Sequence, residues 1–141
     1  MILYVDTSAL VPLVINEASS DACGELWDAA EHVTTTRLAY IEATAALAMA
    51  QRLGRISTDE AEEGTESLRD LWAVIDTIEI DDSLMLSATR RAHDHALRGY
   101  DAAHCAAAAA LNDEQVVAAS GDKRLLEAWR TEGLAVRDTN H

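Results

Sequence analysis

Residues 1–11 read MILYVDTSALV. Ile2 to Val5 form a short apolar run with two β-branched members, which reads as a buried strand. Thr7 and Ser8 offer hydroxyls suited to an N-cap, and Ala9 to Val14 then read as a helix. Asp6 therefore stands at the carboxyl end of a first strand, the place where open α/β sheets put their ligands. Helix capping would account for the same aspartate, and one residue does not decide between the two.

The alternation continues outward. Ser19 to Glu31 carries apolar residues on helical spacing at Ala22, Leu26, Ala29 and Ala30. HVTTT (32–36) is a second strand. Leu38 to Leu53, with Leu38, Ile41, Ala45, Ala48 and Met49 as its expected buried stripe, is a helix stopped by Gly54. Ser57 and Glu60 make a capping box for a helix to about Ala73, and VIDTIEI (74–80) is a third strand. Asp81, Asp82 and Ser83 cap a helix through Leu97. Gly99 breaks it before a second helix, Ala102 to Leu111. QVVAAS, a helix over Lys123 to Thr131, and LAVRD complete the series. Strands alternating with helices predict an α/β fold, a central parallel sheet in a three-layer α/β/α sandwich, and one domain over residues 1–141.

Composition narrows the class. With 141 residues, 49% hydrophobic content and a single proline, the chain suits one helix-rich core. No apolar stretch approaches the ~20 residues of a membrane span, so a soluble cytoplasmic protein with no membrane partner is expected. Cys23 and Cys105 lack a CxxC pattern and read as buried thiols. The formal charge of −14 opposes nucleic acid over most of the surface. The same excess of carboxylates suits a divalent cation, which reverses the local field. No GxGxxG or Walker A loop follows the first strand, so nucleotide binding of those kinds is unsupported.

Three more carboxylates join Asp6. Asp101 lies at the start of an alanine-rich helix, and Asp122 follows a strand just before another helix; capping accounts for either singly. Glu42 sits between Ile41 and Ala45 on the expected buried stripe, and glutamate is rarely buried unless paired. In a doubly wound sheet all four converge at one edge. Unpaired carboxylates in one pocket require protonation or a cation, and oxygen-only ligation selects Mg²⁺ or Mn²⁺. Such ions polarise a phosphodiester and activate water for in-line attack.

VDTSAL (5–10), Glu42 within YIEATAAL, YDAAHCAAA (100–108) and SGDKRLLEA (120–128) together resemble the PIN-domain family, specifically the VapC-type toxins of toxin–antitoxin pairs. The resemblance runs over nearly the whole chain. It implies a PIN-like fold and a metal-dependent endoribonuclease that leaves 5′-phosphate and 3′-hydroxyl ends. Asp6, Glu42, Asp101 and Asp122 match the acidic quartet, and Ser8 and Ser120 the accompanying hydroxyls. Asp6, Asp101 and Asp122 would hold Mg²⁺ (or Mn²⁺), with Glu42 orienting water or a second ion. Arg124 stands where the family often has another acid or amide, which bears on the number of metals. The resemblance also implies a cognate antitoxin and a homodimer.

Arg37, Arg98, Lys123 and Arg124 lie near the acidic motifs and are candidate RNA contacts, against ordinary solvation or pairing with acids. Tyr40 and Tyr100 could stack on bases, though packing is the expected role of both. His104, one turn after Asp101, reads as a satisfied helix histidine rather than a ligand, and His93, His95 and His141 show no clustering. Two competing classes are a catalytically silent PIN-like interaction module and a receiver-like phosphoacceptor domain. The receiver lacks its second acid after the first strand and its lysine after the last.

Overall fold

The structure, a computed structural model, describes residues 1–140. The chain runs β1 (Ile2–Val5), α1 (Thr7–Leu10) with a 3-10 turn at Val11–Leu13, α2 (Ser20–Ala29), β2 (His32–Thr36), α3 (Leu38–Arg52) and α4 (Thr58–Trp72). It continues through β3 (Asp76–Ile78), α5 (Asp82–Asp94), α6 (Gly99–Ala110), β4 (Val116–Ser120), α7 (Lys123–Thr131) and β5 (Ala135–Asp138). The five strands pair in parallel in the order β3-β2-β1-β4-β5. β1 is central, paired to β2 on one side and β4 on the other, so the chain reverses its direction of travel across the sheet between β1 and β4. A parallel sheet opens a crevice at the carboxyl ends of such strands.

Side-chain alternation along β1 sorts the core into two layers. Leu3 and Val5 pack on one face with residues of α1 to α4, including Leu10, Ala39, Ala43 and Leu68. Tyr4 points to the other face, among Leu84, Cys105, Leu125 and Trp129 of α5, α6 and α7. Both faces are covered, as parallel strands require, and Cys23 and Cys105 are buried free thiols.

Four local expectations are corrected. The first helix starts at Thr7, capped by Asp6 itself, whose Oδ1 accepts from Ala9 N; Thr7 and Ser8 are helical and use their hydroxyls elsewhere. The buried stripe of α3 is Ala39, Ala43, Leu47 and Ala50, while Ile41 is 68% exposed. Small residues around Leu47 let α3 approach its neighbours, and Ile41 and Met49 are left outward. β3 holds only three residues, because as an edge strand it bonds to β2 alone. The α5–α6 break falls at Ala96, which takes φ of 51°, whereas Gly99 is the first residue of α6.

α5, α6 and α7 are tied by one partly buried network. Glu132 accepts from Arg91 Nε and Nη2 and from His95 Nε2, and Arg91 also donates to the Ser87 hydroxyl. Burial works to raise the Glu132 pKa, but the donors from Arg91 and His95 outweigh it and hold the carboxyl below its ordinary value. Burial and the Glu132 charge push the neighbouring Cys105 thiol up to about 12. A depressed carboxyl pKa contributes stability above the unfolded-state value, ~4.3, which is lost as pH falls through the folded value. Glu132→Gln is therefore expected to cost about 2 kcal/mol at pH 7, because it removes one partner of a mostly desolvated pair. Urea unfolding should show that deficit shrinking once the pH drops below ~4.

Candidate active site at the carboxyl edge of the sheet

Asp6 follows β1 and is 5% exposed. Its Oδ1 accepts from Ser8 Oγ at 2.7 Å and Ala9 N at 3.1 Å, and its Oδ2 from Ser120 Oγ at 2.6 Å. Burial pushes its carboxyl above the ordinary value, against the lowering influence of His104 and these donors. The two serines knit β1 to β4: Ser8 Oγ accepts from Gly121 N at 2.8 Å, and Ser120 Oγ from Asp122 N at 2.9 Å. A Cβ at Gly121 would lie 3.2 Å from Asn140 Nδ2 and 3.3 Å from Thr139 Oγ1, so a larger residue there would push those side chains by a few tenths of an ångström.

Asp122 caps α7 as expected, its Oδ1 accepting from Arg124 N and Leu125 N. Its other oxygen faces Arg98 Nη2 at 3.9 Å. Asp101 is not a cap. It sits in the first turn of α6, whose N-cap is Arg98, and its Oδ2 accepts from Arg98 Nε at 3.2 Å. One guanidinium thus supplies counter-charge to both aspartates, and with Lys123 and Arg124 these residues line a shallow pocket.

Glu42 is half-buried beside the α3 stripe rather than on it. Its Oε1 accepts from Thr7 Oγ1 at 2.9 Å and His104 Nε2 at 2.8 Å. Burial works to raise its pKa, but the hydrogen bond and charge of His104 and the Thr7 hydroxyl prevail and hold it below the ordinary value. Glu42 and Asp101 also share a groove of about 770 Å³ with Leu84, Met85, Arg98 and Tyr100.

The four carboxylates therefore gather at the one crevice, each partnered: the expectation of unpaired acids is corrected, since hydroxyls, His104 and Arg98 meet them. Among the described residues no three of their oxygens lie within 4.8 Å of one another. The group of His, Cys, Asp and Glu atoms that does is His95, Cys105 and Glu132, so His95 is clustered after all. That group is already engaged by Arg91. His141 lies outside the described residues.

The donor set fits a hard cation. No described donor reaches Glu42 Oε2 or Asp101 Oδ1, and Asp122 Oδ2 faces only Arg98. These are oxygen ligands alone, alongside a buried Asp6 whose charge is disfavoured by burial.

The basic residues divide. Arg98, Lys123 and Arg124 line the site, whereas Arg37 is bound by Glu79 through both carboxylate oxygens. Tyr40 packs edge-on against Trp72, as expected. Tyr100 does not pack; it is 63% exposed in the groove. Sequence reading missed Thr7 and Tyr4, whose only signal was adjacency to Asp6, and saw His104 as satisfied without seeing by what.

A family model described as the PIN domain matches residues 3–129. Ribonuclease VapC45 of Mycobacterium tuberculosis is 37% identical over 135 residues, 96% of this chain and 94% of that protein. Among solved structures, PAE2754 from Pyrobaculum aerophilum aligns with a TM-score of 0.69 at 25% identity, covering 96% of this chain and 92% of that one. VapBC-5 from Mycobacterium tuberculosis, described as a member of the VapBC family of toxin–antitoxin systems, aligns with a TM-score of 0.56 at 19% identity, covering 96% and 95%.

Proposed function

The chain belongs to the PIN-domain family, and on that footing we propose how it works as a VapC-type ribonuclease toxin: as a divalent-metal-dependent endoribonuclease restrained by a cognate antitoxin. The observation that carries the metal reading is the convergence of Asp6, Glu42, Asp101 and Asp122 on the β1–β4 crevice, where Glu42 Oε2 and Asp101 Oδ1 meet no described donor. Asp6, Asp101 and Asp122 would hold Mg²⁺ or Mn²⁺, with Glu42 beside them. Such an ion neutralises charge on the scissile phosphodiester and makes water a nucleophile near neutral pH.

The chain's own residues supply the rest. Ser8 and Ser120 fix the two oxygens of the buried Asp6 carboxylate. Arg98, whose side chain is 81% exposed, exchanges its aspartates for RNA phosphates, joined by Lys123 and Arg124. Tyr100 offers an exposed ring for an unpaired base. Glu42 orients the attacking water. These cations form a local landing strip on a protein of formal charge −14, so RNA binding is expected to weaken as salt rises. We read residues 1–141 as one PIN-like domain, working as a cytoplasmic homodimer.

The test is incubation of the purified protein with structured RNA in Mg²⁺, in Mn²⁺ and in EDTA. Fragments carrying 5′-phosphate ends are expected with either ion and none in EDTA. Cleavage that persists in EDTA, or an absence of both cleavage and calorimetric Mn²⁺ binding, overturns the metal reading.

A further inference from the structure

A line of buried hydrogen bonds runs from the centre of the sheet to Glu42. Tyr4, fully buried on β1, places its hydroxyl 2.7 Å from His104 Nδ1. His104, 2% exposed in the second turn of α6, places Nε2 2.8 Å from Glu42 Oε1. Thr7 donates to the same Oε1 from the first turn of α1. The imidazole is also held in plane by its edge contact with the Tyr4 ring, centroids 6.0 Å apart at 72°.

We propose that His104 is a positioning residue for the nuclease reaction: its Nε2–H, fixed by Tyr4 on the opposite ring nitrogen, pins Glu42 Oε1 and leaves Oε2 as the oxygen that orients the reacting water or ion.

The direction of the donor follows from hydrogen-bond logic. Glu42 is an ionised carboxylate and accepts only, so a bare Nε2 facing it would set lone pair against lone pair. Nε2 therefore carries the proton. Tyr4, a phenol, is protonated at neutral pH. In the neutral ring the Tyr4 hydroxyl donates to Nδ1 and so selects the Nε2–H form, and in the imidazolium Nε2–H faces Glu42 all the same. The partner of one ring nitrogen decides what the other presents, which is how outer residues orient a carboxylate or metal ligand. Two donors on Oε1 remove the rotational freedom that a glutamate otherwise keeps about its terminal bond, and misplacement of a reacting group by ~1 Å can cost ~100-fold. His104 needs no contact with RNA or ion to matter.

The inference rests on the nuclease reading, and the experiment separates the two. His104→Phe, His104→Gln and Tyr4→Phe are compared with wild type in steady-state RNA cleavage with Mn²⁺. In parallel, long-range ¹H–¹⁵N spectra of the histidines are recorded on metal-free protein, with His104 assigned by its loss in His104→Gln. Wild type is expected to show Nε2 protonated. His104→Phe should lose about 10- to 100-fold in kcat with little change in KM. His104→Gln should recover most of that loss, because its amide can still donate to Oε1. A purely packing role predicts the reverse order, with the apolar ring tolerated better than the amide.

Should His104→Phe fail to fold, Tyr4→Phe decides: it keeps the ring and is expected to lower kcat and to shift the His104 Nδ1 resonance. A folded His104→Phe with kcat within twofold of wild type, or a His104 protonated on Nδ1 with Nε2 bare, overturns the proposal. If wild type itself cuts no RNA in Mn²⁺, the nuclease reading fails, while the spectrum still reports whether His104 donates to Glu42.

Discussion

Asp6→Asn and Asp101→Asn are each expected to lower the single-turnover rate of RNA cleavage by about a thousandfold while leaving the protein folded. The size follows from the metal-holding role proposed for each carboxylate. Charge stabilisation by a bound divalent ion is worth several kcal/mol in the transition state, and ~4 kcal/mol corresponds to ~10³ in rate. An amide keeps the shape of the carboxylate but not its charge, so it weakens the hold on the ion at the moment the phosphate gains charge. Preservation of the fold follows from the hydrogen bonds. Asn is as good an N-cap as Asp, so position 6 can keep its bond from Ala9 N. Position 101 loses a helix-N-terminus charge effect of ~0.5 kcal/mol together with the Arg98 pair.

The two variants should separate in thermal melts of metal-free protein. Asp6 is buried and its ionised form is disfavoured there. A carboxyl with a raised folded pKa loses stability as pH climbs from its unfolded-state value to the folded one and carries the full cost above it, so Asp6→Asn is expected to melt at or above the wild-type temperature at pH 7. Asp101→Asn should melt slightly below it. Activity within tenfold of wild type in either variant would remove that residue from the site.

Much of this site was legible because strand–turn–helix grammar is local. Asp6 and Asp122 each follow an apolar run and precede a helix, and both stand at the carboxyl ends of adjacent strands. The grammar also explains why capping and function could not be separated by reading: Asp122 caps through Oδ1 and faces Arg98 with Oδ2, so both descriptions hold of one side chain. Helix periodicity misled at α3, where alanine lines the buried face and Ile41 and Met49 point outward. Hydrophobic pattern assigns large residues inward, but close helix packing selects small ones. The break before α6 was misplaced because glycine is the usual residue at positive φ, and here Ala96 takes it. The Tyr4–His104–Glu42 line joins residues 100 and 62 positions apart, a distance at which spacing carries no information.

Trp129→Ala is expected to be the most destabilising single change among the residues discussed, costing about 3–5 kcal/mol. Trp129 is the largest of the fully buried side chains, contributed by α7 to the same core layer as Tyr4, Cys105 and Leu125. Its ring meets Tyr4 edge-on with centroids 5.8 Å apart at 76°. Domains of this size hold only ~5–15 kcal/mol in total, so such a loss should lower the melting temperature by about 10 °C or more.

Trp129→Phe separates packing from hydrogen bonding. No described polar atom partners the buried Trp129 Nε1, and an unsatisfied buried donor costs ~1–3 kcal/mol. Phenylalanine removes that donor and keeps an aromatic edge against Tyr4, so the smaller ring and the lost penalty offset, and urea unfolding should show a change of about 1 kcal/mol or less. A deficit as large as that of Trp129→Ala would mean that Nε1 is bonded in solution. The comparison reaches the site as well, because Tyr4 leans on Trp129 on one side and holds His104 on the other. Loss of the indole frees Tyr4 to move, and with it the donor that orients Glu42. Trp129→Phe should therefore keep kcat, and Trp129→Ala, assayed cold enough to stay folded, should lose it in the same direction as Tyr4→Phe.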